Sequence, residues 1–289
     1  MISIFAKPAF LNIAPAEAFK DRVKPIPEGR GHLQRVSSMI RGDQIADYMG
    51  ARFNPTEGYE NDVCVYVKPQ VQKGDDFVFE GRKNYIDIVD GHNLGELAKQ
   101  HPEVGVIVCS EADKKTMAKC ISNEIILIPQ HHCNYNRQHR TRTEIKTVGV
   151  IGTAGAFPMI PQELKDGIKD RGLELLEFSR FFTRQDIIDF YMKIDIQLIW
   201  RPYHKTLSNP LKMVNASSFG IPTIALDEEA FKEMEGCYLS CNDVRGFLGH
   251  LDDLAMIPEM YESYSELCLD KSENYHIDNI SNLYKKLDK

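Results

Sequence analysis

The sequence predicts an α/β protein made of two tandem, doubly wound parallel-sheet domains, and three observations point there. Short strands rich in Val and Ile alternate with amphipathic helices along most of the chain, the pattern that crossover connections in a parallel sheet produce. The alternation breaks once, at the polar stretch QHHCNYNRQHRTRTEIK, residues 130–146, and then restarts. A length of 289 residues, 43% of them hydrophobic, suffices for two ordinary cores. The expected domains are 1–135 and 136–289.

The first half opens on an apolar run, 1–6, that fits a strand. From 32 to 48, apolar residues recur at Leu33, Val36, Met39, Ile40 and Ile45, which gives a helix one buried face. DVCVYV at 62–67 is a buried strand, ended by Lys-Pro. YIDIV at 85–89 is the next strand, closed by Asp90-Gly91, and 92–100 is helical. VGVIVC at 104–109 makes a strand, and Ser110 then caps a helix over 111–120. EIILI at 124–128, stopped by Pro129, completes the first sheet.

After the polar stretch, strand 147–151 runs into a glycine turn at 152–155 and a helix at 162–171. Strand 174–178, helix 184–192, strand 196–199, helix 210–219 and strand 223–225 follow. The last forty residues read as helical. Ligands of such sheets bind beyond the carboxyl ends of the strands.

Composition narrows the functional classes. A formal charge of −7 counts against a dedicated nucleic-acid surface. Seven cysteines form no CxxC pair and are odd in number, which fits reduced thiols and a cytoplasmic location. Cys237 and Cys241 read as buried small hydrophobes. No metal is expected: His131 and His132 are adjacent, and no second pair has zinc spacing.

Two loops have the chemistry of anion binding. In VGVIGTAGAFP, the glycines at 152 and 155 flank Thr153 just after a strand, where main-chain N–H groups can approach a phosphate. The loop is neither a Walker A sequence nor a full GxGxxG; a plain turn would read the same way. In WRPYHKTLSNPLKMVNASSFGIPTIA, Ser208, Asn209 and Pro210 mark a helix start and Lys212 lies in the first turn. A lysine there has the wrong sign for the helix dipole, which suggests a ligand anion that both would favour; a solvated lysine is the alternative.

The segment NPLKMVNASSFGIPTIA resembles one common in GT-B glycosyltransferases, in which a Pro-Leu-Lys helix start precedes Gly-x-Pro and a strand. The resemblance implies two Rossmann-like domains facing an interdomain cleft, with Lys212 and Ser208 on the diphosphate of a nucleotide-sugar. The opening Gly29-x-Gly31-His32-x-x-Arg35 is similar to a G-x-G-H-x-x-R loop in a GT-B subset that includes UDP-sugar hydrolases. There it lines the acceptor side, and its histidine can act as base. Two departures stand out. Asn215 occupies the place of a ribose-binding Glu and Leu207 that of its partner acid, so the E-x7-E signature is absent. The glycine-histidine loop also comes more than twenty residues after the first strand, later than in that family.

The chemistry then implied is metal-independent transfer of a sugar from a nucleotide-diphosphate donor to an acceptor hydroxyl. Lys212, Arg201, His204, Lys205, Ser208, Asn209, Asn215 and the loop with Gly152, Thr153 and Gly155 form the expected donor site. His32, or else Asp90 at a strand end, is the candidate base. Gly29, Gly31 and Arg35 shape the acceptor loop. Trp200 either stacks on a base or covers the sheet. No cofactor is expected beyond the co-substrate, a UDP-sugar; the acceptor is a glycan, a small molecule or modified DNA. A sugar-nucleotide hydrolase or epimerase, a phage-type DNA-base glycosyltransferase, and a non-catalytic nucleotide binder are the alternatives.

Overall fold

The computed structural model describes residues 1–6, 36–69, 77–91, 93–142, 144–181, 183–203 and 205–289. The chain forms two compact units. The first comprises Met1–Gln130, Thr206–Asn209 and Ile277–Lys289; the second comprises His131–Lys205 and Pro210–His276. Among the described residues, no helix is long and apolar enough to cross a membrane.

In the first unit, β1 (Ile2–Ala6), β2 (Arg52–Phe53), β3 (Val63–Val67), β4 (Lys83–Val89), β5 (Gly105–Val108) and β6 (Ile125–Leu127) form a sheet in the order β2-β1-β3-β4-β5-β6. Every pairing is parallel. All residues of β1 and β3 are buried, as expected of strands covered on both faces. Helices α1 (Gln44–Met49), α2 (Leu94–Gln100) and α3 (Glu111–Met117) connect the strands. Ser110 caps α3 as expected, its hydroxyl accepting the Asp113 N–H at 3.0 Å. The helix expected over 32–48 is, where described, a π-helical turn at Ser38–Asp43 leading into α1. Gly42 is required there, because a Cβ would lie 2.4 Å from that of Ala6 on β1.

That π-turn delivers Arg41 into the core. Its Nε donates to Asp87 at the end of β4 (2.6 Å), and its Nη1 donates to the carbonyls of Ile128 (2.7 Å) and Pro129 (2.9 Å). Tyr284, on the C-terminal helix Ile277–Lys285, donates its hydroxyl to the same Asp87 oxygen at 3.3 Å. Arg41 and Asp87 are both essentially inaccessible.

In the second unit, β7 (Thr147–Ile151), β8 (Glu174–Phe178), β9 (Ile196–Ile199), β10 (Thr223–Leu226) and β11 (Tyr238–Cys241) are again parallel, in the order β11-β10-β9-β7-β8. The helices are α4 (Gln162–Asp170), α5 (Arg184–Tyr191), α6 (Leu211–Ser217), α7 (Val244–Met256) and α8 (Pro258–Glu273). Local sequence explains their starts. Thr183 and Asp186 form a reciprocal capping box on α5, Asp243 caps α7, and Pro258 opens α8. Cys237 and Cys241 are buried as expected, at the ends of an edge strand.

The arginines of the polar stretch are each held by a carboxylate. Arg140 pairs with Asp195, and Arg142 lies 3.5 Å from the same carboxylate while donating to the carbonyls of Ile194 and Phe219. Arg137 pairs with Glu273 on α8, while His131 and His132 are buried. Asp195 collects these charges because it sits where β9 begins, and it also accepts the N–H groups of Lys146 and Thr147.

Candidate functional site

The strand order fixes where a ligand site can form in the second unit. The chain leaves β7 towards β8 on one side, whereas β9 lies on the other, so the sheet reverses direction between β7 and β9. In doubly wound sheets the crevice at the carboxyl ends of two such strands is the ligand position. The loop after β7 carries residues 152–155, and the loop after β9 carries Arg201, Lys205 and the start of α6.

Gly152 plays a different part from the one expected. Its N–H donates to the Phe178 carbonyl at 3.1 Å, extending the β7–β8 ladder, so it is not turned to a phosphate. What it supplies is space: a Cβ there would lie 3.0 Å from the Lys212 Nζ. Thr153, Ala154 and Gly155 are exposed at the start of a 3-10 turn, Ala154–Met159, where the first amides have no acceptor within the turn. Gly152→Ala should therefore push Lys212 aside at little cost to folding. Expected results are a several-fold loss of affinity for pyrophosphate, used as a probe anion, and an almost unchanged melting temperature, by calorimetry and thermal melts.

Lys212 is the most distinctive group. Among the described residues, no hydrogen bond or ion pair holds its ammonium, although the side chain is closely surrounded while still open to solvent. That crowding, reinforced by Arg201 and Lys205, pushes its pKa down to about 8, with Glu228 opposing. A cation kept short of counter-charge beside other cations is a receptor for an anion.

Arg201 is held by Glu228 in a two-point ion pair, and its guanidinium lies 6.0 Å from the Phe231 ring centre. Glu228 was invisible in the sequence. Arg201 follows β9 and Glu228 follows β10, and only the pairing of those strands brings them together. Trp200 packs edge-on against Phe247 at 6.5 Å within the core cluster, which accounts for it as a cover for the sheet.

The other expected site residues are placed as follows. Helix α6 begins at Leu211 with Pro210 in the cap position, so Ser208 and Asn209 do not cap it. They group with the first unit, where the Ser208 N–H donates to Asp113 (2.9 Å) and its carbonyl accepts from the Ser110 hydroxyl (2.9 Å). Asn215 is buried, and its side-chain oxygen accepts the Cys133 N–H at 2.8 Å. Asp90, in the first unit, pairs with Lys68. Val89 before it has a φ of 52°, a costly conformation for a β-branched residue, and it turns the chain out of β4. Gly29, Gly31, His32, Arg35 and His204 lie outside the described residues.

No protein-family profile and no curated protein sequence matches the chain. Solved structures do. A component of the Glycosylation Associate Protein (Gap123) complex from Streptococcus agalactiae aligns over 88% of this chain at 10% identity and TM-score 0.55. This chain spans 58% of that longer one. Anabaena Alr3699/HepE, solved with UDP and glucose, aligns over 88% of this chain and 83% of its own, at 11% identity and TM-score 0.56. The UDP-forming alpha,alpha-trehalose-phosphate synthase from Burkholderia vietnamiensis aligns over 78% and 71%, at 10% identity and TM-score 0.55. With its two parallel sheets of six and five strands, the chain shares the GT-B fold of these structures.

Proposed function

We propose that the protein is a glycosyltransferase that takes a sugar from a nucleotide-diphosphate donor, a UDP-sugar. The observation that carries this is the Lys212 ammonium against Gly152, unpaired among the described residues, at the switch point of the second sheet. The leaving diphosphate gains negative charge as the glycosidic bond breaks. Lys212, Arg201, Lys205 and the exposed amides at 153–155 supply fixed positive charge where that happens. Such a site needs no metal for the leaving group, and His32 or Asp90 is the proposed base for the acceptor hydroxyl. UDP in the name of one structural relative, and UDP-forming chemistry in that of another, support the choice of nucleotide.

Titration with UDP tests the donor site. Because the Lys212 pKa is lowered to about 8, the ammonium is intact near pH 7 and is lost as pH rises through 8. The terminal phosphate of UDP, with a second pKa of about 6, is almost fully ionised above pH 7 and changes little through pH 8. The affinity for UDP should therefore fall above pH 8, by at most about tenfold per pH unit. Lys212→Arg, whose cation does not titrate there, should flatten that fall. A pH-independent affinity for the wild type from 7 to 9 would remove Lys212 from the site.

One observation favours a second reading, a nucleotide binder without transfer activity. The position at which GT-B enzymes with the E-x7-E signature carry a ribose-contacting acid is Asn215, and its oxygen is engaged by the chain itself. Incubation with a panel of UDP-sugars, with and without acceptors, separates the two. Tight UDP binding with neither transfer nor free-sugar release supports the binder. Free sugar without acceptor supports a hydrolase. Against a DNA acceptor, the three arginines of the polar stretch are each paired with a carboxylate of the second unit, whereas His139 is exposed.

A further inference from the structure

Three histidines with no part in that chemistry meet inside the second unit. His131, His132 and His276 are each almost completely enclosed. They come from the first residues of the unit and from its last, just before the chain returns to the first unit at Ile277. The His132 N–H donates to the Tyr275 carbonyl at 3.1 Å. The His132 and His276 rings meet edge-on at 5.2 Å, and His276 Nε2 lies 3.0 Å from the Tyr135 carbonyl.

The same short segment grips α6. Cys133 donates its N–H to Asn215 (2.8 Å), and the Asn134 side-chain amide donates to the carbonyl of Ser218 (2.7 Å), the residue that ends the helix. Lys212 lies one turn earlier on that helix. The segment's own shape depends on His132, whose Nδ1 accepts the main-chain N–H of Asn134 at 3.2 Å. An accepting ring nitrogen must keep its lone pair, so this bond exists only while Nδ1 is unprotonated, as it is in the neutral ring.

We propose that residues 132–134 form a proton-sensitive brace on α6, closed while His132 is neutral and opened when His132 takes up a proton. The groups around the ring all resist a further positive charge or are already committed. His131, His276 and Arg137 oppose it. Arg137 is paired with Glu273 on α8. Arg184 on α5 donates to the Cys133 carbonyl (2.9 Å) and lies 4.1 Å from the Tyr135 ring centre. Tyr275 and Cys133 are neutral, their pKa values raised by burial.

Burial first, then His276, His131 and Arg137, push the His132 pKa down to about 3 in the closed form. In an opened form the ring titrates at its ordinary value of about 6.5. The depressed value belongs to the closed state, so closure is fully favoured above about pH 6.5 and weakens as pH falls towards 3. The open population should gain up to about tenfold per pH unit across that window. Acidification would thus loosen the helix that carries Lys212, a consequence for donor binding that rests on the donor-site reading.

Amide hydrogen exchange of residues 214–219 at pH 7.5 and 5.0, corrected for intrinsic rates, measures the brace without any nucleotide, so its outcome is separate from that of the UDP titration. Wild-type protection is expected to fall about tenfold or more at pH 5.0. His132→Asn keeps an acceptor near the Nδ1 position but cannot be protonated in this range, and should respond clearly less. Equal responses in the two proteins, or an unchanged wild type, would overturn the proposal. So would an ordinary imidazole pKa for His132 in the folded wild type by NMR, which needs no variant.

Discussion

Lys212→Ala is expected to lower UDP-sugar turnover by about 100-fold or more in kcat/KM, with the fold intact. The size follows from removing a cation whose worth grows as charge develops on the leaving diphosphate. The intact fold follows from what the side chain lacks. Among the described residues its ammonium makes no ion pair, so alanine breaks nothing inside the protein. It also removes a cation that stands beside Arg201 and Lys205, which repel it. Steady-state kinetics beside a thermal melt check both halves. Wild-type kcat/KM in the variant would reject the site, and a large drop in melting temperature would show a structural role instead.

The largest stability effect is expected at Asp87. Asp87→Ala leaves the Arg41 guanidinium in the core of the first unit without its carboxylate, and takes an acceptor from Tyr284. Breaking a buried pair on one side costs about 3–5 kcal/mol, because the remaining charge stays desolvated. Replacing both partners by apolar residues, Arg41→Met with Asp87→Leu, should cost less than Asp87→Ala alone. The only tryptophan, Trp200, lies in the second unit, so far-UV circular dichroism in urea suits this comparison better than tryptophan fluorescence. A cost below about 1 kcal/mol for Asp87→Ala would mean that Arg41 finds another partner or reaches water.

Most strands and helices were legible from the chain because they rest on local rules. Runs such as VCVYV and VGVIVC are apolar throughout, as strands buried on both faces must be. Ser110 and the later helices announce themselves by caps and period. The strands missed were β2, of only two residues, and β11, a four-residue edge strand whose mixed polarity hides it. The π-turn at Ser38–Asp43 has the same apolar spacing as an α-helix, and what distinguishes it is the contact of Gly42 with β1.

The candidate site divides along the same line. The sequence alone determined that the protein is a doubly wound α/β chain, and that a lysine of the wrong sign for the dipole sits at a helix start, where an anion would suit both. Those properties depend on a few consecutive residues. Only the tertiary structure decided which neighbours each charge meets. It put Glu228 on Arg201, Asp195 on two arginines of the polar stretch, and the Cys133 N–H on Asn215, while leaving Lys212 against Gly152. Strand order and long-range packing set those pairings between residues tens of positions apart, and electrostatic energy depends on distance in space, not along the chain.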